Sequence, residues 1–201
     1  MDILQESALS FQKLFEFDYH VKAGKKGKLF EVTLFFNSSN FHHLLGLHKL
    51  KDLPNISNHT NKSSLFKSII DGSITHADIK TSLNYDEIDM RLNNFNRIEN
   101  ILKIDNEVVI KFDQHKAHTT IDANFLIYEH FNNDYLHLFF GPFNQEFPNK
   151  LVPRSFIIRN DTQYIDMQER YTLLEVKQIP KEIHVDNKLF LLSPAYSDDK
   201  T

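Results

Sequence analysis

Between Leu102 and Glu107 the apolar residues of this chain change period, and that single change limits the fold more than any other feature. Upstream, Ile88, Leu92, Phe95, Ile98 and Leu102 fall on one stripe of a helix, as do Leu4, Ala8, Phe11 and Phe15. Thr75 with Asp78 and Asn84 with Glu87 are capping-box pairs that open further helices, and a short helix is also expected over 64–70. Downstream, residues 107–112, 120–128, 135–140, 153–159 and 171–177 are β-rich runs split by turn residues such as Asn132-Asn133-Asp134. Helices first and strands afterwards predict an α+β fold, with helices packed on one face of an antiparallel sheet of about four to five strands. An N-terminal β-hairpin is expected as well, since 17–22 and 29–36 flank the Gly-rich turn Ala23-Gly24-Lys25-Lys26-Gly27-Lys28. Residues 1–180 read as a single domain and 181–201 as a C-terminal arm or edge strand.

Composition removes several classes of function. The 201 residues contain no Cys, so disulfides, thiolate metal sites and Cys nucleophiles are excluded. Eighteen Phe and seven Tyr with no Trp predict an aromatic core. No apolar run approaches the roughly 20 residues of a membrane helix. The first fifteen residues mix Asp2, Gln5, Glu6 and Lys13 among apolar ones, unlike a signal peptide. A cytoplasmic protein without a membrane partner is the expectation. The net charge of −4 and the pI near 6.2 are wrong for a protein that coats nucleic acid. They still permit an enzyme that grips a few phosphates in a small basic cleft.

Candidate chemistry centres on Asn40-Phe41-His42-His43-Leu44-Leu45-Gly46-Leu47-His48-Lys49-Leu50. Imidazole can give or take a proton near neutrality, so three in one short segment invite attention. Treated as one helix at about 100° per residue, the segment puts His48 inside the apolar arc, His43 at its edge, and His42 and Lys49 on the wet side. His48 is then either a core histidine or a general base held neutral by burial. Strand alternation places Tyr135, His137 and Phe139 on one face, Asn124 and Tyr128 together, and Arg154 opposite Ser155. If these strands are neighbours, Lys111, Asn124, Tyr128, His137 and one of Arg154 or Ser155 converge, which would suit a phosphodiester; a merely solvated polar sheet face is the competing account. No HExxH pair, Cys/His frame, phosphate loop or nucleophile elbow is present, so neither a metal nor a cofactor is expected.

The run Phe41-His42-His43-Leu44-Leu45-Gly46, then Asp71-Gly72-Ser73-Ile74-Thr75, then Tyr135-Leu136-His137-Leu138-Phe139-Phe140, followed by Ser155-Phe156 and Tyr164-Ile165, resembles the fourth family of phage-associated barnase–EndoU–colicin–RelE-like nucleases. The likeness spans roughly residues 17–177. It implies helices on a four-stranded antiparallel sheet and metal-independent cleavage of RNA by 2′-hydroxyl attack on the adjacent phosphate. By position it implies functional roles for His43, His137 and Ser155, with RNA as substrate and an antitoxin or immunity protein as a possible partner. Combining the two lines, the candidate catalytic residues are His43, His48, His137, Lys111, Arg154, Ser155 and Tyr128. The alternative is a non-catalytic interaction module with a nuclease-like fold that binds a partner protein or RNA.

Overall fold

The computed structural model describes residues 2–103, 107–181, 183–185 and 188–190. Helix α1 (Ile3–Gln12) is capped by the Asp2 carboxylate, which accepts from the Gln5 amide, and it buries Leu4, Ala8 and Phe11. The predicted hairpin follows as β1 (Phe17–Lys25) and β2 (Lys28–Leu34), turned at Lys26 and Gly27 with positive φ. Next come α2 (Ser38–Leu45), α3 (Pro54–Ser57), α4 (Lys62–Ile70), α5 (His76–Lys80), α6 (Asp86–Asn94) and α7 (Ile98–Ile101). The Thr75–Asp78 capping box is present as expected. The cap of α2 is Asn37, in a capping box with Asn40.

Strands then dominate: β3 (Glu107–Ile110), β4 (Phe125–Phe131), β5 (Asp134–Pro142), β6 (Lys150–Arg159) and β7 (Arg170–Pro180). The sheet is larger than the sequence implied and is mixed. Among the described residues seven strands close into a barrel in the order β1-β2-β6-β5-β4-β3-β7, with β7 returning to β1. All pairings are antiparallel except β2 with β6, where Thr33 and Leu34 lie beside Lys150 and Leu151. The two hairpin strands are thus part of the main sheet. In the tail, β8 (Ile183–Val185) and β9 (Lys188–Phe190) pair with each other; the remainder of 181–201 lies outside the described residues, Lys181 excepted.

The strands β4, β5 and β6 have two differently covered faces. One carries Phe125, Ile127, Leu136, Leu138, Phe140 and Phe156 into the main core, which they share with the helices. The other carries Leu126, Tyr128 and Phe139, with His137 among them, under loops that contribute Phe112, Ala117, Ala123, Tyr164 and Ile165. That second face is therefore covered by loops, not solvated. Glutamines fasten its cover: Gln163 donates to the Ala117 carbonyl at 2.8 Å, and Gln168 donates to the Asp113 carbonyl at 2.8 Å. Among the described residues no helix is long and apolar enough to cross a membrane.

Candidate active site

The histidine segment is not one helix. Helix α2 stops at Leu45, and Gly46 takes the left-handed conformation, φ +89°, which a glycine adopts without penalty. A short 3-10 turn over Leu47–Lys49 follows in a new direction. The reversal takes His48 off the helix that carries His42 and His43. His42, expected at the surface, is buried at 2 % exposure, with Nε2 3.0 Å from the Ile56 carbonyl and 3.4 Å from Lys62 Nζ. His43 is exposed and His48 half-buried. Their rings stack, with centroids 4.5 Å apart and planes 20° from parallel.

Around this stack lies a cleft of about 550 Å³ lined by His43, His48, Lys49, Arg91, Thr120, Asp122, Arg154 and Ser155, with Ile121 on its wall. Three elements and a loop build it: α2 with its following turn, α6, β6, and the segment before β4. Arg154 and Ser155 were expected on opposite strand faces, yet both line the cleft. The ladder explains this, since Phe139 pairs with Ser155 and Phe140 with Pro153, leaving Arg154 as the extra residue of a bulge. A bulge re-aims a side chain, and Pro153, lacking an N–H, fits a strand at such a break.

Each arginine lies over a glycine. A Cβ at Gly46 would stand 3.1 Å from Arg91 Nη1, and one at Gly141 would stand 2.8 Å from Arg154 Nε. Arg154 also donates through Nη2 to the Pro142 carbonyl at 2.8 Å. Two of the five glycines in the chain therefore leave room for the cleft's guanidinium groups. Lys49 is tied to Glu87 at 3.2 Å on the margin.

The surroundings of both imidazoles disfavour their charged forms. Desolvation lowers the His48 pKa to about 4, with His43, His42, Arg91 and Lys49 adding to the effect. For His43 desolvation again leads, followed by Arg91, Lys62 and Arg154. A cluster of cations thus faces the stack inside a chain of net charge −4. An anion bound there would relieve the repulsion that opposes imidazole protonation.

The remaining sequence candidates lie elsewhere. His137 is fully buried among Tyr128, Tyr135, Phe139 and Tyr164, with Nδ1 3.3 Å from the Ile157 carbonyl and no partner for Nε2 among the described residues, and it does not line the cleft. Tyr128 is buried beside it. Lys111 follows the end of β3 in a bend with φ +58°, exposed and outside the cleft lining. Strand alternation had placed these groups with Arg154 or Ser155, but the loop cover separates them. Conversely, Arg91 was missed. It stands three residues after Ile88 and four before Phe95, an arginine within an apolar helical stripe, and that position was the available signal. Thr120 and Asp122 were read as strand but belong to the loop that precedes Phe125. Among the described residues no group of three or more His, Asp or Glu side chains is placed to hold a metal ion.

A family model described as phage-Barnase-EndoU-ColicinE5/D-RelE like nuclease4 matches residues 3–188. The chain belongs to that family. The match covers both the helical half and the barrel. No curated protein and no solved structure matches the chain.

Burial of His137 carries a consequence for stability. Desolvation lowers its pKa from 6.5 to about 4, with Arg159 adding to the fall while the Ile157 carbonyl and Asp161 oppose it. The folded value lies below the unfolded one, so the unfolded chain holds the proton more tightly. The neutral ring's full stability is present above about pH 6.5 and is lost as pH falls toward 4, a span worth about 3 kcal/mol. Urea denaturation of the wild type at pH 7 and at pH 4.5 should show that loss, and His137→Leu should remove much of the difference. An equal pH-dependent loss in both proteins would place its origin elsewhere.

Proposed function

We propose that this protein is a metal-independent endoribonuclease of toxin or phage-defence type, working at the His43–His48 cleft. The observation that carries the reading is the stack of the His43 and His48 imidazoles in one cleft with Arg91 and Arg154. Two titratable groups whose surroundings hold them differently are what acid and base catalysis requires.

His48, held down to about 4, stays neutral near pH 7 and takes the role of base. Its Nδ1 is buried with no partner among the described residues, and in the tautomer that carries the proton at Nδ1 the Nε2 offers the lone pair. It removes the proton of a ribose 2′-hydroxyl, whose oxygen attacks the adjacent phosphorus. The bond from phosphorus to the 5′-oxygen breaks. His43, the more exposed ring, is charged once a phosphate occupies the cleft and gives its proton to that leaving oxygen. Arg91 and Arg154 stabilise the charge that builds on the phosphate, and the Ser155 hydroxyl donates to a non-bridging oxygen. The products are a 2′,3′-cyclic phosphate and a 5′-hydroxyl. This scheme gives no part to His137, Tyr128 or Lys111. A neutralising antitoxin or immunity protein would act by covering the cleft.

The test is purified protein incubated with a single-stranded RNA in EDTA, with the ends of the products identified. Cyclic phosphate and 5′-hydroxyl ends are expected. RNA that is bound but left intact, with or without divalent metal, would establish the interaction module instead.

A further inference from the structure

Beyond the cleft, the connection between β5 and β6 displays aromatic surface. Phe143 is 59 % exposed and Phe147 44 % exposed, although most large apolar side chains of the described residues are inside. Exposed rings in a loose loop would mean little. Here the loop is fastened: the Phe143 amide donates to the Lys150 carbonyl at 2.7 Å, the Phe147 amide to Asn144 Oδ1 at 2.9 Å, and the Lys150 amide to the Phe147 carbonyl at 3.0 Å. Lys150 Nζ lies 4.8 Å from the centre of the Phe147 ring and 5.5 Å from that of Phe35. The patch is therefore apolar rings with a cation among them.

Its position gives it meaning. Phe143 follows directly on Pro142, whose carbonyl accepts from Arg154, and Gly141 lies under the Arg154 side chain. The aromatic loop begins one residue from the backbone that holds a cleft guanidinium. A polynucleotide gripped by its phosphate at Arg154 would carry its neighbouring bases toward this loop. Flat apolar rings with an adjacent cation suit unpaired bases, because every base has a π face and every linkage an anion.

We infer that Phe143 and Phe147 form a stacking platform for unpaired nucleobases of the strand held at Arg154, which makes the substrate single-stranded at that point. The inference rests on the reading of the cleft as a phosphate site. Bases within a duplex stack on each other and cannot reach such rings, so the platform selects loops and single strands over helices.

The experiment measures binding of a fluorescent 2′-O-methyl RNA, which has no free 2′-hydroxyl and is not cut. Three forms at one salt concentration are compared: the single strand, the same strand made abasic opposite the loop, and its duplex. Wild type should favour the single strand. Phe143→Ala with Phe147→Ala should weaken single-strand binding by on the order of tenfold or more, leave the abasic strand unchanged, and be rescued by Tyr at both positions. Matched thermal unfolding confirms that the variants fold. Wild-type affinity of the double Ala variant for the single strand overturns the platform, and if the same variant loses a protein ligand the patch is a protein interface. Arg154→Ala tests the other reading separately. Unchanged affinity for the abasic strand in that variant would overturn the phosphate site while leaving the contrast at the phenylalanines to be judged on its own result.

Discussion

His48→Ala is expected to lower the single-turnover rate of RNA cleavage by about 10²–10⁴-fold, the usual worth of one proton-transfer group. His43→Ala should cost a similar factor. The double variant should fall little below either single one, because the two rings serve one proton-transfer cycle and their losses do not add. The pH profile separates their roles. With the His48 pKa near 4, the acid limb of kcat/KM in the wild type should lie well below the 6.5 of a free imidazole, and it should vanish in His48→Ala. The alkaline limb belongs to His43 and should vanish in its variant. His137→Leu serves as the control, since the buried ring stands outside the cleft lining and should change stability rather than the shape of the profile. Wild-type rates in both single cleft variants would sink the acid–base assignment.

That assignment could not be reached from helical geometry. Phe41, Leu44 and Leu45 correctly marked buried positions of α2, whereas His43, expected at the edge of that face, is exposed. The error at His48 came from running one helix through Gly46, whereas His42 is buried because Ile56 of α3 and Lys62 of α4 cover that side of α2. A left-handed glycine turns the chain, so residues beyond it lose their angular relation to those before it. The strands show a parallel lesson. Alternation put Tyr135, His137 and Phe139 on one face as observed, yet it failed at Arg154, where a bulge breaks the period of two. Pro153 was the local sign of that break. Closure of the sheet was invisible for a different reason. The parallel contact of β2 with β6 joins residues more than a hundred positions apart, and no local pattern encodes it. The site is thus hardest to read where the chain departs from regular structure, and those departures at Gly46 and Arg154 are what bring its groups together.

A second large effect is expected far from the cleft. Phe11→Ala should cost about 3–5 kcal/mol of folding stability, read as a lower urea midpoint with little change of slope. Phe11 is nearly inaccessible, and its ring meets Phe15, Phe36, Phe41 and Phe95 at centroid distances of 5.2, 5.9, 5.8 and 5.5 Å. These neighbours come from the turn after α1, the end of the hairpin, α2, and the turn after α6. Removing the ring leaves a cavity that four separate elements would all have to move to fill, so little relaxation is available. Phe11→Leu keeps much of the volume without the ring edges and should lose less. A cost near 1 kcal/mol for the Ala variant would mean instead that the helices collapse readily into the space. The loss bears on catalysis because Phe41 sits on α2 two residues before His43, and Phe95 packs directly on Phe41 at 5.0 Å beyond Arg91 on α6. One aromatic contact therefore sets the spacing between the helix that carries an imidazole and the helix that carries a guanidinium. Stacked rings and a bound phosphate tolerate little displacement. At temperatures where Phe11→Ala is still folded, its cleavage rate should fall more than the unfolded fraction alone accounts for.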